Sequence, residues 1–215
     1  AGPADVLARI LAERMREALG QPVVIENVVG AAGTLASGRV VRATPDGHTI
    51  ILGNLGTHVV NGAVYPLAYD LLKDFEPISL LAAGPMLILS RNSLPAKDLK
   101  ELIAWLKANP EGVTFGTGGL ASPPNITGLS LQEITGNKFQ FVPFRGSAPA
   151  LQQVLGGQLD IIIDQASAAL SIAKGGGVRA YAVTAKQRLA SAPDIPTVDE
   201  AGLPGFHVSI WQAVW

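Results

Sequence analysis

Short apolar strands alternate with amphipathic helices along almost the whole of this 215-residue chain, and that order restricts it to the α/β class. In residues 5–19, Val6, Leu7, Ile10, Leu11, Met15 and Leu19 recur at three-to-four spacing until Gly20 and Pro22 stop the pattern, which predicts an amphipathic helix. Residues 23–26 read as a short buried strand, 33–43 as a helix, and Pro45-Asp46-Gly47 as a turn into a strand over 48–53. Strands are expected at 78–82 and 86–90, then a helix at 97–108 with Leu99, Leu102, Ile103 and Leu106 on one stripe. The remainder reads as strand 114–115, a helix opened by Pro123 and Pro124, strand 139–143, helix 148–155, strand 160–163, helix 167–174, strand 178–183 and a short helix at 197–201. This period predicts mostly parallel sheets with flanking helices. Polar Ser90-Arg91-Asn92-Ser93-Leu94-Pro95 and the change of character at Val183-Thr184-Ala185-Lys186 are the expected crossings between two lobes. The first lobe would be discontinuous, residues 1–89 with 184–215, and the second would be residues 90–183.

Two glycine-bearing turns run straight into helices. They are Gly2-Pro3-Ala4-Asp5, and Gly116-Thr117-Gly118-Gly119-Leu120-Ala121-Ser122 after the strand at Phe115. The first turn of a helix leaves backbone N–H groups unpaired, and its dipole adds partial positive charge, so such a turn holds a carboxylate or phosphate without a basic side chain. Ser122 suits the N-cap, and Thr117 and Ser122 add hydroxyls beside the amides. A purely structural turn is the competing reading. The second turn lacks the Gly-Lys-Ser/Thr ending of a phosphate loop and the glycine spacing of a dinucleotide fingerprint.

Lys+Arg 16 against Asp+Glu 17 gives a net charge of −1, which leaves no excess of cations for binding a nucleic acid by counterion release. Mean hydropathy is +0.31, yet no apolar run approaches the roughly 18 residues of a spanning helix. No cysteine is present, so disulfides, thiolate nucleophiles and cysteine-ligated metals are excluded. His48, His58 and His207 share no metal spacing and read as ordinary polar positions, with His58 expected at the surface. Neither a Gly-x-Ser-x-Gly elbow nor a Ser-His-Asp grouping is apparent, so no enzyme, cofactor or metal is expected.

Other candidates lie at strand ends, where open α/β sheets place their ligand crevice. Asn54 and Thr57 follow the strand over 48–53. Asp164 leaves the apolar run Ile161-Ile162-Ile163, and would either accept hydrogen bonds from a ligand or cap the next helix. As a general base it would instead belong to an α/β enzyme. Arg145 is either a charged contact for a carboxylate or a solvated arginine. Trp211 and Trp215 would be core or a pocket wall.

Gly2-Pro3-Ala4-Asp5, Pro45-Asp46-Gly47, Tyr65-Pro66, Asp70-Leu71-Leu72-Lys73-Asp74-Phe75, Phe144-Arg145-Gly146-Ser147-Ala148-Pro149-Ala150-Leu151 and Pro196-Thr197-Val198-Asp199-Glu200-Ala201-Gly202-Leu203-Pro204-Gly205 follow one another in an order that resembles the tripartite tricarboxylate transporter receptors, or Bug family. The resemblance covers essentially the whole chain. It implies a two-lobed type II periplasmic-binding fold, and a periplasmic protein that captures a small carboxylate between its lobes and delivers it to a membrane permease, without catalysis. A sensor of the same fold serving a signalling kinase is the alternative. It further implies ligand contacts at Gly2 and Asp5, at Gly116, Thr117, Gly119 and Ser122, and at Asp164 facing the far end of the ligand. Pro3, Leu120, Asn125, Arg145 and Gln165 depart from the usual residues and bear on ligand identity. Family members begin with an export signal and a strand before the first glycine turn and continue beyond the equivalent of Trp215, so this chain, in which no signal is visible, is expected to be incomplete at both termini. A monomer is expected.

Overall fold

The computed structural model describes residues 2–215. Helix α1, Pro3–Leu19, opens on a proline, where no N–H is needed, and stops at Gly20, whose φ of 67° turns its N–H back onto the Arg16 carbonyl. A 3-10 turn, Ala31–Gly33, leads into α2, Thr34–Val40. Strand β1, Leu52–Asn54, is followed by a π-helical turn, Gly56–Val60, that continues as α3, Asn61–Val64. The twelve-residue β2, Ser79–Ser90, precedes a regular series: α4, Leu99–Ala108; β3, Thr114–Thr117; α5, Pro123–Thr135; β4, Gln140–Pro143; α6, Ser147–Leu155; β5, Ile161–Gln165; α7, Ala166–Lys174; and β6, Arg179–Val183. Strand β7, Ser209–Val214, comes last.

Two sheets share β2. Its first half, to Pro85, lies antiparallel to β7, which pairs in turn with β1. Its second half, from Met86, lies antiparallel between β5 and β6, and β3 and β4 extend that sheet in parallel beyond β5. Strands β6, β5, β3 and β4 therefore run one way, as strand–helix alternation demands, and β2 runs against them. The parallel expectation holds where helices join the strands. It fails for β2 and β7, whose pairing carries the chain between the two sheets.

Thr184 fastens this crossing. Its Oγ1 accepts the Met86 N–H at 2.8 Å and donates to the Val208 carbonyl at 2.6 Å, while its backbone pairs with Met86 and Val208. A second tie joins the sheets where Gln212 Nε2 of β7 donates to Gln165 Oε1 at the end of β5.

The larger sheet is buried on both faces. In β5 the period-two alternation sends Ile161 and Ile163 to a layer with Leu99, Leu102, Leu106, Phe115, Leu131 and Phe139, and Ile162 to one with Leu89, Leu151, Val154 and Ala169. Val198, Leu203 and Phe206 of the long return segment pack in the first layer.

Four local expectations differ from the structure. Residues 23–26 form no strand, because they pair with no other strand among the described residues, and Val24 is 80% exposed. Residues 197–201 make a single turn, closed by the Ala201 N–H on the Thr197 carbonyl, and no helix. The strands expected at 78–82 and 86–90 are one, with Gly84 and Pro85 at the point where it changes sheets. Strand β7 is not among the expected elements, although Phe206-His207-Val208-Ser209-Ile210 alternates after the Pro204-Gly205 turn; its partners are more than a hundred residues away in sequence.

Candidate functional site

Three chain turns from different parts of the sequence meet around Ser147. Gly2 is the N-cap of α1 and Gly146 that of α6, and neither cap has a side chain to occupy the first-turn amides. A methyl group built on Gly2 would lie 3.9 Å from Ser147 Oγ, and one on Gly118 would lie 3.1 Å from the Ser147 backbone nitrogen. The starts of α1 and α6 and the glycine turn after β3 therefore adjoin one another where the two sheets face, and this is the candidate cleft. From the β1 side, Gly56 closes on the same turn: a methyl there would sit 2.5 Å from the Ala121 carbonyl oxygen.

The glycine turn is built from its own side chains. Gly119 has a φ of 100° and Ala121 of 63°; the Asn125 amide oxygen, which accepts the Ala121 N–H at 3.1 Å, stabilises this left-handed backbone. Ser122 is the N-cap of α5: its Oγ accepts the Asn125 N–H and donates to the Gly119 carbonyl at 2.7 Å. Thr117, 1% exposed, accepts the Gly119 N–H. Gly116 lies in the β3 ladder, where a methyl would press on Leu159 and Ala150, so its lack of a side chain serves packing against α6.

On the β1 side, Asn54 Oδ1 accepts the N–H groups of Gly56 and Thr57, and Thr57 Oγ1 accepts the Asn54 N–H. These bonds turn the chain at the cleft mouth. Thr57 also meets Nδ1 of His58 at 2.9 Å. Contrary to the surface expectation, His58 is buried, stacked on Trp215 with ring centroids 3.8 Å apart and edge-on to Phe75. Burial lowers its pKa to about 4, which keeps the ring neutral. Trp215 is thereby a wall beneath the β1 turn.

Asp5 faces inward from α1 and accepts from Asn27 Nδ2 at 2.7 Å and Arg9 Nη2 at 3.0 Å. The Asn27 amide, then the Arg9 guanidinium, hold its carboxyl below the usual carboxylate range. Its bonds anchor the start of α1. Arg145 is exposed on the turn before α6, at the rim.

Asp164, the last residue but one of β5, lies next to Ser147 and is 1% exposed. Oδ1 accepts the Gln165 N–H at 2.8 Å, and Oδ2 has no partner. Burial pushes its pKa up to about 6, tempered by the Gln165 N–H and by the nearby Ser147 hydroxyl, although that hydroxyl makes no well-formed bond to Oδ2. Of the sequence-derived candidates, the structure gathers the turns of Gly2, Gly119, Asn54 and Thr57 with Asp164 around the cleft, and leaves Gly116 in the sheet. Ser147 is the residue that reading missed. The same signal marks it, since Gly146-Ser147 is a glycine turn running into a helix.

With the geometry in view, the similarities to known proteins become informative. A family model described as "Tripartite tricarboxylate transporter family receptor" matches residues 7–215. A protein of Agrobacterium vitis, described as "UPF0065 protein in the TAR-I ttuE-ttuC' intergenic region", is 40% identical over all of this chain and 62% of its own length. MatC of Rhodopseudomonas palustris, solved with bound malate, is 42% identical, with a TM-score of 0.93 over 100% of this chain and 73% of that one. Rpa4515 of R. palustris, solved with adipate, is 34% identical, with a TM-score of 0.95 over 99% of this chain and 72% of that one. The chain spans 62% to 66% of the first three curated relatives it matches.

Proposed function

Because the chain belongs to the tripartite tricarboxylate transporter receptor family, we propose that it serves in the periplasm as a solute-binding protein that captures a small mono- or dicarboxylate in the cleft between its two sheets. Delivery to a membrane permease follows in this reading, and no catalytic step is part of it. The observation that carries the proposal is the convergence of the uncapped starts of α1 and α6 with the Gly118–Gly119 backbone around Ser147. First-turn amides left without a capping side chain are fixed dipoles that hold an anion without a mobile cation, and they cost little reorganisation when the ligand enters. The malate and adipate in the two R. palustris proteins support carboxylates as the class.

We assign the direct contacts to the first-turn amides that follow Gly2 and Gly146, to the Gly118 backbone and to Ser147. Asn54, Thr57 and Ser122 shape the cleft, Asp5 anchors α1, and Arg145 borders the entrance. The crossings that let one lobe move on the other, expected at residues 90–95 and 183–186, are reassigned here to Pro85–Met86 and Val208–Ser209, where the chain changes sheets and before which Val198, Leu203 and Phe206 pack with the larger sheet. Ligand that touches both lobes favours the closed arrangement by its differential affinity for it. Titration calorimetry with C4–C6 dicarboxylates, aromatic monocarboxylates and acidic amino acids tests the proposal. Saturable one-to-one binding of at least one of them is expected, and a flat response to the whole panel would refute it.

A further inference from the structure

The two sheets meet through a buried pair of carboxamides whose hydrogen bonding is incomplete. Gln165, the last residue of β5, is 7% exposed, Gln212 of β7 is 4% exposed, and Gln212 Nε2 donates to Gln165 Oε1 at 3.2 Å. The other atom of the same amide, Gln212 Oε1, is buried and receives no donor. Asn54, the neighbour of Gln212 across β1 and β7 and on the same face of that sheet, gives it no hydrogen bond and turns its own amide oxygen to the N–H groups of Gly56 and Thr57. A carboxamide taken out of water with one atom unpaired costs more than its single neutral hydrogen bond returns. That cost belongs to the arrangement in which the sheets abut, because the bond runs from one sheet to the other. Gln165 stands opposite Met86, at the first crossing, and Gln212 lies three residues beyond the second, so a rotation of one sheet on the other about these crossings wets both amides.

Resting on the solute-binding reading above, we infer that the Gln165–Gln212 pair is a gate on closure: the empty protein rests with its sheets parted and both amides hydrated, and it shuts to the arrangement of this structure only when a ligand's contacts with both sides outweigh the unpaired acceptor. One unsatisfied group of this kind shifts such an equilibrium by roughly tenfold. The gate keeps the empty protein different in shape from the loaded one, which lets a membrane partner take up the loaded form alone. In exchange the apparent affinity is lower, since the binding-competent arrangement is a minor fraction of the free protein.

Small-angle scattering of the ligand-free protein tests the gate. The native chain should be more extended than this structure. Gln165→Met/Gln212→Met replaces both partners by apolar side chains of similar length, which removes the unpaired group together with the bond, and should raise the compact fraction by roughly tenfold and move the ligand-free profile towards the one calculated from this structure. A role confined to holding the sheets together predicts the reverse, a variant more extended than the native chain. Should the methionine pair not fold, Gln165→Leu/Gln212→Leu makes the same comparison. A native profile that already matches this structure would overturn the inference, and so would an apolar pair that stays as extended as the native chain or more so. Either result leaves carboxylate capture standing, because no ligand is added; failure of that reading shows in the calorimetric panel alone.

Discussion

At the scale of single residues, two buried titratable groups oppose each other. Asp164 holds its proton to about pH 6 in the folded chain, well above the ordinary carboxylate value, so the folded state gains stability as pH falls from 6 towards 4. His58 is held neutral down to about pH 4, below its ordinary 6.5, so the folded state loses stability over nearly the same interval as the unfolded chain takes up that proton. The other carboxylates with resolved shifts, Asp5, Glu13, Asp70, Asp199 and Glu200, are all held low, and their contribution is lost only below about pH 4.5. Between pH 6.5 and 4.5 the two buried groups therefore largely cancel, and the native chain should show a nearly level unfolding free energy. Asp164→Asn removes one side of the balance. Urea unfolding of that variant should lose roughly 2 kcal/mol over the interval, solvent screening of the histidine allowed for. A variant curve as level as the native one would show that His58 does not carry the opposing contribution.

Elements differ in how far their causes lie from them along the chain. Helices α1, α4 and α5 were legible because their signals are local: the apolar stripes of α1 and α4, Gly20 after α1, the prolines at the start of α5, and the Ser122 cap, whose oxygen accepts from Asn125. Strand β5 was legible as an unbroken apolar run. Residues 23–26 have the composition of a strand and still do not form one, since a strand exists only with a partner, and β7 escaped notice because both its partners are remote. The candidate site divides the same way. Glycine turns before helices are visible in sequence, whereas the meeting of Gly2 with Ser147, and of Gly56 with Ala121, depends on tertiary packing. The Ser122 cap is the local signal most easily tested. Ser122→Ala removes the oxygen that receives the Asn125 N–H and the hydroxyl that fixes the Gly119 carbonyl, and should lower stability by about 1–2 kcal/mol. Urea denaturation should show a lower midpoint with an unchanged slope; an unaltered midpoint would mean that the cap contributes nothing to α5.

For the molecule as a whole, the property that matters is whether its two sheets can close over a ligand, and Gly56 reports on it. This glycine opens the π-helical turn on the β1 side of the cleft, and its missing side chain faces the Ala121 carbonyl on the far side. Its φ is not left-handed, so the local backbone accepts alanine without strain. In the structure the added methyl would sit 2.5 Å from Ala121 O and 3.1 Å from Asn54 Oδ1. Asn54 belongs to the same turn and its amide can shift, but a backbone oxygen held by the left-handed Ala121 cannot. Gly56→Ala should therefore leave each sheet and its helices folded while holding the sheets apart. Gly56 is buried, and the methyl is accommodated by parting the two sides rather than by repacking either one, so without ligand the protein should still fold, with a thermal midpoint lowered by no more than about 4 °C. Carboxylate affinity should fall by tenfold or more, and small-angle scattering should no longer show compaction on adding ligand. Native affinity in this variant would mean that the contact between Gly56 and Ala121 is no part of closure, and that the ligand is held without bringing the two sides together.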